Sequence, residues 1–157
     1  MSDASNQAGT GAGSGATRTR AEAFFRRYQK AFEARDPGLI LSCFHAPVCI
    51  ATDTGTDVQT ASFDDTQWPR IIERLLAQYH ALGVGRVEQR VLEVREISAH
   101  LATAAVSWSL FDQRDELLYE FNAAYTLKLE HDDLGILAIA HNEAAAAGRR
   151  ALRTPQT

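Results

Sequence analysis

Cys43, His45 and Cys49 put three metal-binding side chains into one short stretch, CFHAPVC, the first constellation in the chain with chemical potential. Zinc sites of this ligand type pair their ligands on a knuckle or on one helix face, whereas here a predicted helix gives way to a predicted strand between the ligands, so no metal is expected. Residues 11–16, GAGSGA, satisfy the relaxed dinucleotide pattern G-x-G-x-x-A. That chemistry needs a buried strand before the glycines and a helix N-terminus facing the pyrophosphate, and no strand precedes them, so no cofactor is expected either. His80 and His100 fall near element ends and His131 in a turn, the positions of solvated side chains, while His141, Asn142 and Glu143 close the run LGILAIAHNE.

These groups act only where helices and strands hold them. Ala21, Phe24, Phe25, Tyr28, Ala31 and Phe32 recur at three and four residues, after Thr19 and Glu22 at capping-box spacing, which predicts a helix to about Arg35 with one buried face. Asp36-Pro37 suits the start of a second, short helix over Leu39 to Phe44, and Val48 to Thr52 read as a strand. A turn-rich segment follows. Asp64 to Leu82 carry Trp68, Ile71, Ile72, Leu75, Leu76 and Tyr79 at helical spacing with Gly83 as the stop. From Arg86 onward, long runs of valine, leucine and aromatics broken at 98–100, 113–115 and 131–133 predict four antiparallel strands. In the third, the alternate residues from Leu117 through Tyr119, Phe121, Ala123, Tyr125 and Leu127 to Leu129 form an apolar face opposite a mostly wet one. Helices followed by an antiparallel sheet predict an α+β fold with helices on one side of the sheet.

At 157 residues with 45% hydrophobic content, the chain suits one domain with a sizeable core. Its net charge of −4, from 16 basic and 20 acidic residues, offers no footprint for nucleic acid or an anionic membrane. No run approaches a transmembrane helix, and the N-terminus lacks the order of a signal peptide, so a cytoplasmic protein is expected. Two cysteines in such a chain read as small apolar groups without a disulfide. Residues 1–16 are expected as a disordered tail, 17–143 as the domain, and 144–157 as a flexible C-terminal tail.

The pattern R-Y-x-x-A-F-x-x-x-D-x-x-x-I-x-x-x-F from Arg27 to Phe44, with the order of elements over Ala21 to Glu143, resembles the nuclear-transport-factor-2-like superfamily, in its SnoaL-like and ketosteroid-isomerase-like branch. The resemblance implies a cone-shaped cystatin-like roll, a curved antiparallel sheet packed on about three helices, and a conical, mostly apolar pocket. Set on the ketosteroid isomerase pattern without gaps, Tyr28 lands on a tyrosine that donates to a developing enolate oxygen; the other reading is one rung of the core stripe. Thr52 lands at the general-base position with Asp53 one residue later, so Asp53 is a base only if the strand register turns it inward, and otherwise a solvated strand-end aspartate. Tyr125 stands where that branch keeps a protonated aspartic acid. His141 is a candidate because related branches use histidine for proton transfer. The implied cavity is lined by Tyr28, Trp68, Tyr79, Trp108, Phe121 and Tyr125, aromatic and nearly free of charge, which suits a small flat hydrophobic ligand as well as it suits plain core.

Two functions stand side by side. One is a cofactor-independent isomerase, dehydratase or cyclase, with Tyr28 polarising an oxygen and Asp53 or His141 moving the proton; the other is a non-catalytic ligand-binding or dimerisation module. The resemblance also implies a homodimer through the open sheet face, with Ala102, Ala104, Val106 and Trp108 or Leu101, Ala105 and Phe111 as the contact row.

Overall fold

The computed structural model of the chain describes residues 10–153. Helix α1 (Thr10–Glu33) buries the expected stripe, Ala21, Phe24, Phe25, Tyr28, Ala31 and Phe32. It begins well before the capping box. Thr19 Oγ1 donates to the Gly15 carbonyl at 3.0 Å, a bond back by one turn inside a helix rather than a cap. Thr17, buried, donates to Glu96 at 2.7 Å, so the long third strand gives the first turns of α1 a partner that composition could not announce. GAGSGA therefore lies in α1, where a tail was expected, while residues 1–9 lie outside the described residues.

Asp36 caps α2 (Pro37–Leu41) by accepting from the Leu39 N–H at 3.2 Å. The helix is shorter than its sequence predicts because β1 (Phe44–Asp53) starts early: the Ile136 N–H donates to the Cys43 carbonyl at 2.8 Å, drawing the chain onto the sheet. Strand β2 (Val58–Phe63) has no sequence signal, being an exposed edge strand without apolar alternation, and it is held by antiparallel pairing to β1. Helix α3 (Trp68–Leu82) buries Trp68, Ile72 and Tyr79, and ends at Gly83 with φ +74°, where a side chain would strain the backbone.

Strands β3 (Val84–Ser98), β4 (Leu101–Asp112), β5 (Leu117–Leu129) and β6 (Leu134–His141) complete one curved, unclosed sheet in the order β2-β1-β6-β5-β4-β3. All pairs are antiparallel except β1 with β6. The apolar face of β5 is as its alternation predicts from Tyr119 to Leu129. Leu117 departs from it, 51% exposed with Leu118 buried, because a register shift at Leu110/Phe111 turns the strand there. Ala102, Ala104, Val106 and Trp108 are buried in the single chain, so that row packs on the helices and cannot meet a second copy; Leu101, Ala105 and Phe111 lie on the opposite side.

The second correction is at the C-terminus, where α4 (Glu143–Arg153) replaces the expected frayed tail. Ala145 and Ala146 are buried, and a Cβ at Gly55 in the β1–β2 turn would come within 3.5 Å of the Ala145 Cβ, so α4 packs close over that turn. A run of alanines shows no hydrophobic periodicity, yet alanine is the best helix former and lets two backbones approach closely.

Candidate functional site

Between α1, α3 and the inner face of the sheet lies a cavity of about 650 Å³, within the range of small-molecule sites. Its two ends differ. At one, Trp68 opens α3 and meets Phe44 edge-on at 4.8 Å and Phe63 in a stack at 5.8 Å. Trp68 Nε1 is buried without a hydrogen-bond partner among the described residues. Tyr28 and Tyr125 follow, 6.2 Å apart between ring centres, with the Trp108 Nε1–H donating to the Tyr125 hydroxyl at 2.9 Å.

The other end is polar, and strand register builds it. Gln59, Thr52, His141 and Ala123 pair in sequence across β2, β1, β6 and β5, a row whose members all line the cavity. His141 leads directly into α4, which sets Glu143 on the wall. Glu143 Oε1 accepts from the Tyr79 hydroxyl at 2.6 Å and from the Tyr119 hydroxyl at 3.0 Å. Burial raises the Glu143 pKa, opposed by these two hydrogen bonds, which favour the carboxylate. Burial also raises the pKa values of Tyr28, Tyr79, Tyr119 and Tyr125, so the phenols stay protonated and act as donors.

The histidine has a defined tautomer. The Glu143 backbone N–H donates to His141 Nδ1 at 3.2 Å, which requires a bare nitrogen there, so the proton resides on Nε2 and points to Thr52 Oγ1 at 3.2 Å. Desolvation lowers the His141 pKa, in keeping with a neutral ring.

Asp53 is elsewhere. It is the exposed last residue of β1, its Oδ1 accepting from the Gly55 N–H at 2.8 Å, while Thr52, one residue earlier, faces the cavity. The alternation of a strand decides between them, and no bulge rescues Asp53 at that point. Tyr28, His141, Trp68, Tyr79, Trp108, Phe121 and Tyr125 line the cavity. The expectation of a nearly charge-free lining is corrected by Glu143 and by Arg74 at the rim. Cys43 is buried and Cys49 exposed, and no group of three or more His, Cys, Asp or Glu side chains suited to a metal ion occurs among the described residues.

Residues 18–144 match the family described as NTF2-like protein (DUF6841). The chain belongs to this NTF2-like family. Solved structures agree on its fold. An NTF-2 like protein of unknown function from Shewanella oneidensis superimposes with TM-score 0.63 at 10% identity, over 80% of this chain and 98% of that one. A domain of unknown function with a cystatin-like fold from Nostoc punctiforme gives 0.61 at 16%, over 87% and 83%. A ketosteroid isomerase-like protein from Erwinia carotovora atroseptica gives 0.57 at 12%, over 79% and 93%. At such identities the likeness shows the fold alone. No curated protein matches the sequence.

The NTF2-like fold thus brings Tyr28, His141 and the aromatic lining to one cavity and leaves Asp53 outside it. Glu143 is the group that sequence reasoning read as a strand end. Its one signal was position, an acidic residue directly after an apolar strand that ends in the histidine lining the same wall.

Proposed function

We propose that this NTF2-like protein binds a small, flat hydrophobic molecule in the cavity and moves a proton on it, with Glu143 as the base or acid. The observation that carries this reading is the Glu143 carboxyl, held by two phenols on the wall of an apolar cavity with its pKa raised by burial. A carboxyl whose pKa is raised by burial is a stronger base once ionised than an ordinary glutamate. Tyr28, buried and lacking a hydrogen-bond partner among the described residues, can donate to an oxygen on which charge develops. Thr52 and Glu143 hold the His141 ring, which makes His141 a positioning group for the first turn of α4 before it is a proton carrier.

The test is base-promoted ring opening of 5-nitrobenzisoxazole, a flat probe that loses one carbon-bound proton to a base as its N–O bond breaks and the oxygen leaves as a phenolate. Glu143→Gln should lower the rate at least about 100-fold, the scale of general-base catalysis. Equal rates for wild type and Glu143→Gln would overturn the reading.

A second reading, a pocket that binds without turnover, draws support from the aromatic lining of Tyr28, Trp68, Trp108, Phe121 and Tyr125, with Trp108 donating to the Tyr125 hydroxyl. Saturable binding of the probe with no phenolate release would favour it. A homodimer through the outer sheet face carrying Leu101, Ala105 and Phe111 is proposed with either reading; a monomeric mass by light scattering at micromolar concentration would contradict it.

A further inference from the structure

The rim of the cavity is built by α3 and β2. Along α3, Trp68, Ile71, Ile72, Leu75 and Tyr79 turn inward, and Arg74 and Gln78, one helical turn apart, flank that stripe on the rim. Across the opening stand Gln59 and Thr60 of β2, a strand with no charged residue in its length. Arg74 is the one cation in the cavity lining, and no ion pair reaches it among the described residues. Arg70, one turn earlier, is not part of the cavity lining, and none of the residues three or four positions from Arg74 in either direction is acidic. In a chain of net charge −4, Arg74 is the one exposed charged residue in the cavity lining.

The geometry points to a hydrophobic monocarboxylate as the ligand, its ring system in the aromatic end and its carboxylate on Arg74, with the Gln59 and Gln78 amides beside it. The inference rests on the ligand-pocket reading above. A guanidinium fork matches a carboxylate in two parallel hydrogen bonds. A single cation suits a single negative charge; a dianionic phosphate would stay half-neutralised at the edge of an apolar cavity that already holds Glu143. Arg74 precedes Tyr79 by five residues, about 7.5 Å along a helix at 1.5 Å per residue, so the ligand's charge and the Glu143 carboxyl are kept apart along the wall.

The test compares 2-naphthylacetate with its uncharged primary amide by isothermal titration calorimetry on the full chain, for wild type, Arg74→Gln and Arg74→Lys, at low and at 300 mM salt. Arg74 is exposed, so folding should survive, and a thermal melt checks it. The acid is expected to bind roughly two- to fivefold more tightly than the amide in wild type at low salt, the range open to a solvent-exposed pair. Arg74→Gln should equalise the two, Arg74→Lys should keep part of the preference, and salt should shrink it in wild type and Arg74→Lys but not in Arg74→Gln. A wild-type ratio near one, or a preference that persists in Arg74→Gln, overturns this proposal and leaves the pocket reading standing. Binding of neither probe overturns both.

Discussion

Tyr79 and Glu143, 64 residues apart in the chain, meet at 2.6 Å on the cavity wall, phenol donating to carboxylate. The contact joins α3 to the first residue of α4 and holds an acidic side chain where burial disfavours its charge. Tyr119 of β5 donates to the same oxygen at 3.0 Å, so three elements share one carboxylate oxygen.

The raised pKa of Glu143 has a definite consequence for stability. Above the ordinary glutamate value and up to its folded value, the native chain holds this proton more tightly than the unfolded chain, so its contribution is present at low pH and lost as pH rises through that window. Glu143→Gln keeps an acceptor for both phenols without the charge. It should therefore melt a few degrees above wild type at pH 8, on a scale of about 2–4 °C per kcal/mol, and show no advantage at pH 4. Melting curves across pH check this; a gap that does not change with pH would refute it.

Tyr79→Phe removes the shorter donor and should cost about 1–3 kcal/mol at pH 8 by urea denaturation, where the bond is to a charged group. In a Glu143→Gln background the same change should cost less, and the difference measures the coupling of the pair. Additive effects would place the Tyr79 contribution in packing.

His141 should titrate below the usual histidine range, because desolvation disfavours its cation. Nitrogen-15 spectra should show the proton on Nε2 at neutral pH. Finding it on Nδ1 would break the assignment to the Glu143 N–H and Thr52 contacts.

Deleting residues 144–157 separates a tail from a lid. Ala145 and Ala146 are buried, and α4 begins at Glu143 on the cavity wall, so the truncated chain should lose stability and open the polar end of the cavity. Asp53→Asn, by contrast, keeps the acceptor for the Gly55 N–H in an exposed turn and should shift stability by less than about 0.5 kcal/mol without changing turnover. An unchanged melt for the truncation, or lost turnover for Asp53→Asn, would reverse these assignments.

Much of the fold is a local matter. The stripe from Ala21 to Phe32, the Asp36-Pro37 helix start, the Gly83 stop and the alternation of β5 are set by short-range periodicity and capping, and so were legible from one sequence, as was the family to which they belong. Where periodicity is silent, the tertiary structure decided. Edge strand β2 exists because β1 offers it a hydrogen-bonding ladder, and α4 exists because small alanines find β1 and β5 to pack against. The site divides in the same way. Aromatic residues on apolar faces announced a cavity wall, whereas the choice of Thr52 over Asp53 depended on strand register, and the burial of Glu143 depended on a helix bringing it to two phenols from other elements. A carboxylate's chemistry is set by what surrounds it, and its surroundings here come from residues 24 and 64 positions away.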